Sequence, residues 1–93
     1  MIDPDLKRIA DHYGAVRQFD KLMRECIELA DAVNHYTEGK CNEHDVFDEI
    51  ADVEIMLEQV VYLLSEDATA RVIIDIIKEK KILRQLWRIE DEI

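Results

Sequence analysis

The sequence has few of the residues that interrupt regular structure. It contains two glycines and one proline among 93 residues, and 48% of its residues are hydrophobic. Breakers this rare leave long segments free to form helices, and a chain of this length forms one domain. We therefore predict a single all-α domain over residues 1–93. A domain this small buries a limited fraction of its surface, so association with further copies is a natural way to gain core.

Cysteine is also scarce. Cys26 and Cys41 are the two present, and they fit neither a disulfide framework nor paired CxxC zinc spacing, so a reduced setting is the simpler inference. We expect Cys26 to fill core space. No charged-then-apolar leader opens the sequence, and it contains no run of 18 apolar residues. We therefore expect neither secretion by a standard signal nor a membrane span, and predict a soluble cytoplasmic protein.

Basic residues are outnumbered. There are 12 Lys and Arg against 22 Asp and Glu, for a net charge of -10. Binding along a nucleic-acid backbone requires dense basic surface, so we expect no nucleic-acid polymer as a partner. An acidic chain can still bind an anionic ligand that a metal ion carries.

Apolar residues recur at helical spacing along the first half of the chain. Asp3 and Pro4 fit an N-cap and a first helical residue, which predicts a short helix to about His12 that Gly14 interrupts. A long helix is predicted from Ala15 to Tyr36, with Gly39 as its C-terminal cap. Its apolar stripe, at steps of three and four, consists of Val16, Phe19, Leu22, Met23, Cys26, Ala30 and Val33.

Two further helices are predicted in the second half. Asn42 and Asp45 form a capping pattern for a helix that runs to about Leu64, and Ser65 and Asp67 are caps for a fourth. The fourth helix has apolar residues on one side (Val72, Ile73, Ile76, Ile77, Leu83 and Trp87) and on another (Ile74, Ile82 and Ile89). A helix with two apolar faces is usually covered from two directions, so we predict a homo-oligomer, a dimer or a tetramer. The expected architecture resembles a four-helix bundle, with two long antiparallel helices, a short N-terminal helix and a basic C-terminal helix.

An acidic residue interrupts the apolar stripe of the third helix. In "DEIADVEIML", Glu49 lies within the stripe, and Asp52 lies at its edge one turn further on. The apolar members of this stripe are Val46, Val53, Met56, Leu57, Val60, Leu63 and Leu64. A charge that faces a core is unfavourable unless something pairs with it.

Helix two carries a similar pair, because Glu25 and Glu28 are one turn apart beside its apolar stripe. Two antiparallel helices joined by a short loop pack face to face, which brings the four carboxylates into one cleft. Either their protons stay on or a divalent cation neutralises them, and hard oxygen ligands suit Mg²⁺, with Mn²⁺ as a substitute. Because Mg²⁺ commonly completes its shell with phosphate oxygens, such a site favours a phosphorylated substrate.

A simpler explanation exists for each half of this pattern. Glu pairs at three-residue spacing are common on solvated helix faces, so Glu25 and Glu28 alone indicate little. Glu49 is harder to explain in this way, because buried unpaired carboxylates are rare. The repetition of the pair on two neighbouring helices favours a site.

These residues carry a family resemblance. The pattern Glu25-x-x-Glu28, 20 intervening residues and Glu49-x-x-Asp52 resembles the signature of the MazG-like all-α nucleoside triphosphate pyrophosphatases. The segments "KLMRECIELADAV" and "DEIADVEIMLEQV" are similar to the two motif helices of this family, and "KILRQLWRI" resembles the basic final helix of its phage-type members. The resemblance spans residues 14–90. One departure is Arg24, where many members have a second glutamate.

The resemblance implies Mg²⁺-dependent hydrolysis of a nucleoside triphosphate between the α and β phosphates. Glu25, Glu28, Glu49 and Asp52 would hold the metal, and Glu25 and Glu49 are the candidate catalytic residues, with Glu25 as the general base. Lys81, Arg84 and Arg88 recur on one side of the fourth helix and are candidates for phosphate binding. Their alternative role is a solvated basic stripe.

Other side chains are less informative. Asn34, His35, Phe19 and Trp87 are candidates for base recognition, although core packing is the simpler role for Phe19 and Trp87. We expect His12, His35 and His44 on the surface or in loops.

Two other functions compete with triphosphate hydrolysis as explanations of this sequence. A di-iron carboxylate bundle requires Glu-x-x-His on two helices, and the sequence contains no such pattern. The second rival is a non-catalytic helical interaction module, whose acidic faces are solvated and whose extra apolar face binds a partner. A domain can retain its fold and lose its activity, so the fold alone does not exclude this rival.

Overall fold

The computed structural model of the protein describes residues 2–92, and this range folds into four helices without a strand. The helices are α1 (Pro4–Tyr13), α2 (Ala15–Thr37), α3 (Glu43–Leu64) and α4 (Thr69–Glu92). The all-α, four-helix-bundle-like domain predicted from the sequence is confirmed, and the predicted ends of the first three helices lie within one residue of those observed. Ser65, predicted as a cap for the fourth helix, is instead the C-cap of α3. None of the helices in the described range has the length and apolar content that crossing a membrane requires.

The helix boundaries follow the predicted capping residues. Asp3 Oδ1 accepts a hydrogen bond from the backbone N–H of Asp5 at 2.8 Å, and Pro4 is the first residue of α1. Gly14, at φ +85°, separates α1 from α2 because the left-handed region favours glycine. At the start of α3, Asn42 Oδ1 accepts from the N–H of Asp45, whose carboxylate accepts from the N–H of Asn42, each at 3.2 Å. These two bonds form a capping box.

The helices α2 and α3 form an antiparallel hairpin that organises the rest of the molecule. The residues of α2 that are at least partly buried lie on one helical face: Ala15, Gln18, Phe19, Leu22, Glu25, Leu29 and Ala32. Their counterparts along α3 include Val46, Glu49, Val53, Met56, Gln59, Val60 and Leu63. Both inward faces therefore contain a glutamate among apolar side chains, and Glu49 interrupts the inward stripe of α3 as predicted. Leu57 and Leu64, which were predicted in the same stripe, are exposed instead.

Two predictions about α2 were wrong. Cys26, which we expected in the core, is exposed, and so are Val16 and Met23, at 85% and 59%. The apolar arc of α2 is wider than one neighbouring helix covers, and α3 covers the side that contains Glu25. The other half of the apolar arc faces solvent in this chain.

The helix α4 extends away from the hairpin. Among the helices of the described range, it lies against α3 alone, and every residue from Asp75 to Glu92 is exposed. The prediction that α4 has apolar residues on two sides is correct, but neither side is buried, and Trp87 is 62% exposed where we expected core. The segment before α4 is capped, since Asp67 accepts from Ser65 Oγ and from the N–H of Thr69. These bonds lower the pKa of Asp67 to about 2.

The short helix α1 is held on α3 by a polar contact. The Tyr62 hydroxyl donates to Asp11 Oδ1 at 2.6 Å, and Lys7 Nζ donates to Asp11 Oδ2 at 2.9 Å. Lys7 also lies over the Tyr62 ring, 5.4 Å from its centroid. Apolar contact accompanies these bonds, because Ala10 of α1 is completely buried.

A buried amide pair joins α2 to α3. Gln18 Nε2 donates to Gln59 Oε1 at 2.8 Å, and the two residues are 3% and 1% exposed. Gln18 precedes Glu25 by seven residues, and Gln59 follows Asp52 by seven residues. Because the helices run in opposite directions, the amide pair and the acidic residues share one register and lie two turns apart, about 10 Å along the helix axis.

We predict that removing one member of the amide pair destabilises the fold more than removing both. In Gln59→Leu, the buried amide of Gln18 loses its partner, which costs about 1–3 kcal/mol of unfolding free energy. The double variant Gln18→Leu, Gln59→Leu leaves no unpaired amide and regains much of this loss. Urea denaturation followed by helical circular dichroism measures both. Strictly additive losses in the two single variants and the double variant would contradict the prediction.

Candidate metal centre

Three of the four carboxylates predicted to form a site come together in the α2–α3 hairpin, and Glu28 is not among them. Glu25, Glu49 and Asp52 each place one carboxylate oxygen within 4.8 Å of the others. Glu25 and Glu49 are half-buried, whereas Asp52 is exposed. This grouping, which we call the acidic cleft, follows from the periodicity of the two helices, because each contributes residues from the edge of its inward face.

Two oxygens of the acidic cleft lack any partner. Oε2 of Glu25 and Oε2 of Glu49 are shielded from solvent and accept no hydrogen bond from the described part of the chain. An ionised carboxylate oxygen that is shielded from solvent and accepts no hydrogen bond is unfavourable. Either a bound cation or a retained proton would relieve this cost at the two oxygens.

The protonation of both glutamates responds to this environment. Loss of solvation raises the pKa of Glu25, and the charges of Glu28, Asp52 and Glu49 raise it further. Loss of solvation also raises the pKa of Glu49, again with Glu28 and Asp52 contributing. Glu28 thus acts electrostatically on both groups, although it is exposed. The charge of Glu28 therefore affects Glu25 and Glu49, although its carboxylate is not one of the three that lie within 4.8 Å of one another.

No basic side chain of residues 2–92 forms an ion pair with Glu25, Glu28, Glu49 or Asp52. Arg24, at the position where the resemblance departs from the family pattern, instead pairs with Asp20 at 3.2 Å on the outer surface of α2. The four carboxylates therefore have no basic side chain that neutralises them, and their oxygens are the groups that could hold a cation. Their hard oxygen donors and mixture of half-buried and exposed positions suit Mg²⁺ or Mn²⁺ that keeps part of its water shell.

The sequence analysis did not select one basic residue on the cleft side of α2. Lys21 precedes Glu25 by four residues and Glu28 by seven, so helical spacing puts all three on the same side of α2. Lys21 is exposed. A single lysine on a helix surface does not differ in sequence pattern from other exposed lysines. The four-residue spacing from Glu25 was the one feature that could have identified Lys21 as a residue on the cleft side.

The predicted phosphate-binding residues lie elsewhere in the chain. Lys81, Arg84 and Arg88 are exposed on the part of α4 that extends from the hairpin. None of the three forms an ion pair with Glu25, Glu28, Glu49 or Asp52 in the described range. The structure therefore does not bring these cations to the acidic cleft within one chain.

The candidate residues for base recognition do not form a pocket. Phe19 is partly buried, as expected for core, whereas Trp87 is exposed. Asn34 donates its side-chain amide to Glu38 at 3.0 Å. His35 is exposed, as are His12 and His44, which confirms the expectation for the histidines.

A cavity of about 340 Å³ lies at the far end of α3 from the acidic cleft. Lys7, Glu58, Tyr62 and Arg71 are among its lining residues. None of the four carboxylates lines it, and the cleft itself opens to solvent through Glu28 and Asp52.

Comparisons with known proteins add no assignment. No family model matches the chain, and no curated protein or solved structure is similar to it.

We predict that acid stabilises the metal-free protein. The pKa values of Glu25 and Glu49 are raised in the fold from an ordinary value of 4.5. Their ionised forms therefore oppose folding, and this penalty grows as the pH rises through the interval above 4.5. Lowering the pH from 7 to 5 in the presence of a chelator should raise the melting temperature.

The matched controls are a glutamine variant and Mg²⁺. Glu49→Gln removes one ionisation and should flatten this pH dependence. Added Mg²⁺ should stabilise the wild-type protein at pH 7 and have less effect at pH 5. A melting temperature that depends on pH equally in the wild type and in Glu49→Gln would contradict the assignment.

Proposed function

We propose that this protein is a Mg²⁺-dependent hydrolase that cleaves a nucleoside triphosphate between the α and β phosphates and releases the monophosphate and pyrophosphate. The observation that carries the metal part of this proposal is the pair of solvent-shielded, unpartnered oxygens on Glu25 and Glu49 beside Asp52. The resemblance of the two acidic motifs to the MazG-like pyrophosphatases supports the choice of substrate and bond.

Each carboxylate has a proposed role. Glu25, Glu28, Glu49 and Asp52 hold the metal, which when bound would supply a Lewis acid for phosphate oxygens and lower the pKa of a bound water. Glu25 is the proposed general base, because burial and the neighbouring carboxylates raise its pKa and so make it a better proton acceptor. Water adds its oxygen to phosphorus, the bond to the α–β bridging oxygen breaks, and the proton passes to this carboxylate.

Basic residues are proposed to bind the phosphates of the substrate. Lys21 lies on the cleft side of α2, and Lys81, Arg84 and Arg88 supply further cations from α4. In one chain α4 lies against α3 alone, so the α4 cations would reach a cleft only by bending of α4 or from a second copy. We accordingly propose that the active form is a homo-oligomer, a dimer or a tetramer, in the cytoplasm.

The alternative of a non-catalytic interaction module has one observation in its favour. Large apolar side chains are exposed along α2, α3 and α4, as expected of a protein that binds a partner. This alternative gives no reason for two unpartnered carboxylate oxygens inside a helix interface, and we therefore place it second.

We predict that Glu49→Gln abolishes hydrolysis while leaving the helices intact. The substitution removes a charge from the acidic cleft with little change in shape, and loss of a catalytic carboxylate typically lowers turnover by about 100-fold or more. Release of pyrophosphate is measured with Mg²⁺ and a panel of ribo- and deoxynucleoside triphosphates. Calorimetric titration of Mg²⁺ into the same variant tests metal binding independently.

The control for this experiment is Glu54→Gln. Glu54 is an exposed glutamate on the same helix, and it points away from the acidic cleft. The Glu54→Gln variant should retain wild-type turnover. Hydrolysis by Glu49→Gln at the wild-type rate would refute the site, and a wild-type protein that is inactive on the whole panel would favour the interaction module.

We predict that Arg84→Glu raises the Michaelis constant for the triphosphate by about tenfold or more, the scale of one lost charge-assisted hydrogen bond. The reversed charge repels the phosphates, whereas turnover at saturation changes less. Arg8→Glu is the control, since Arg8 is an exposed arginine on α1. Equal Michaelis constants for Arg84→Glu and the wild type would assign Arg84 to the solvated basic stripe.

A further inference from the structure

The acidic cleft lies between two contacts that hold the α2–α3 hairpin together. At the closed end, the chain passes from α2 to α3 through residues 38–42, where a capping box fixes the start of α3. At the open end, Gln18 donates to Gln59 inside the interface. The carboxylates of Glu25 and Asp52 lie between the turn and this pair, seven residues from the glutamine on each helix. The amide pair is therefore the polar contact that holds the open side of the cleft.

The amide pair is the specific link between the two helices. Within residues 2–92 it is the one hydrogen bond that joins α2 to α3. The other contacts of the Gln59 amide nitrogen are longer and stay on its own helix, at 3.4 Å to the carbonyl oxygen of Ile55 and 3.7 Å to the sulfur of Met56. The pairing of the two glutamines thus depends on how α2 and α3 are aligned.

A slide of one helix along the other would leave both amides without a partner. One turn of about 5.4 Å corresponds to three or four residues, so it would bring Gln18 opposite Met56 or Leu63 instead of Gln59. Both replacements are inward-facing apolar side chains. Because a buried amide without a hydrogen bond is unfavourable, the pair opposes a slide in either direction.

The same slide would disperse the carboxylates. It would move Glu25 by about 5.4 Å relative to Glu49 and Asp52, whereas the oxygens of these three residues lie within 4.8 Å of one another. Oxygens that bind one Mg²⁺ each lie about 2.1 Å from it, which tolerates no displacement of this size. A shared cation therefore requires the alignment that the amides require.

The apolar contacts of the hairpin fix this alignment weakly. Inward apolar residues recur at seven-residue steps on both helices, as Leu22 and Leu29 on α2 and as Val46, Val53 and Val60 on α3. An apolar repeat matches itself again after a slide, whereas a polar pair at one position in a helix interface specifies a single register. The glutamines supply the information that the repeat lacks.

We infer that Gln18 and Gln59 are positioning residues for the candidate metal centre, because they fix the one alignment of α2 and α3 at which Glu25, Glu49 and Asp52 share a cation. Neither glutamine belongs to the group of carboxylates that would hold the ion, and both act through the helices that carry them. The inference rests on the metal site of the proposed function. It assigns the pair a role in metal affinity that is separate from its role in stability.

The double variant Gln18→Leu, Gln59→Leu separates the two roles. It leaves no unpaired amide, so its melting temperature should be close to that of the wild type, but it also removes the contact that specifies the alignment. We expect the dissociation constant for Mg²⁺, measured by calorimetric titration of the chelator-treated protein, to rise about tenfold or more. Gln59→Glu keeps an oxygen that accepts from the Gln18 amide, and it should bind Mg²⁺ within about threefold of the wild type.

The matched control is Tyr62→Phe. It removes the hydrogen bond to Asp11 at the same end of the hairpin and leaves the amide pair in place. Its melting temperature should fall, while its dissociation constant for Mg²⁺ should stay at the wild-type value. An equal loss of affinity in Tyr62→Phe and in the double variant would show that affinity follows stability, and would overturn the inference.

The remaining outcomes separate this inference from the proposed function. Wild-type affinity for Mg²⁺ in the folded double variant, or in Gln59→Leu should the double variant fail to fold, would overturn the positioning role and leave the metal centre standing. A wild-type protein that binds no Mg²⁺ would overturn both. The expected affinities without pyrophosphate release would overturn the hydrolase proposal and leave the positioning role standing.

Discussion

The organisation of this molecule depends on two carboxylates held inside a helix interface. Glu25 and Glu49 occupy inward positions on α2 and α3 where an apolar side chain would pack better, and each keeps an oxygen away from water and from any partner within the described residues. Repulsion between the ionised groups acts to separate the two helices. The hairpin therefore needs other contacts, strong enough to hold the helices together, on either side of the carboxylates.

Those contacts fix the register as well as the distance. Val53 and Met56 are buried next to the acidic cleft, and the Gln18–Gln59 amide pair lies two turns away in the same register. Apolar packing alone tolerates sliding of one helix along another, whereas a buried amide pair is satisfied at one alignment. Since Gln18 and Glu25 are seven residues apart, as are Asp52 and Gln59, the alignment that pairs the amides also brings the acids together. A polar contact without chemistry of its own thus positions the candidate metal ligands.

Sequence periodicity predicted the helices and the acidic cleft well, for a physical reason. Helix caps such as Asn42 with Asp45 are local, and a glutamate within an apolar stripe is visible without knowledge of the fold. Periodicity did not predict which half of a broad apolar arc is covered. Counting Glu25 as polar displaced the expected inward face of α2 toward Cys26, whereas in the structure α3 packs on the side that contains Glu25. Which half of the arc a helix buries depends on its neighbour, and that information is tertiary.

The predicted burial of the α4 residues was wrong for a related reason. Trp87 and its apolar neighbours have the spacing of a buried face, but nothing in the sequence of one chain specifies whether the covering surface belongs to the same chain. A hairpin with carboxylates on one side and apolar side chains on the other resolves two opposing demands. For the proposed metal site the charged side must remain open to solvent, while the chain must still bury enough apolar area to fold. On this hairpin the two demands fall on different residues, because the carboxylates of Glu28 and Asp52 and the exposed apolar side chains of Met23 and Leu57 lie on opposite flanks of the inward faces of α2 and α3.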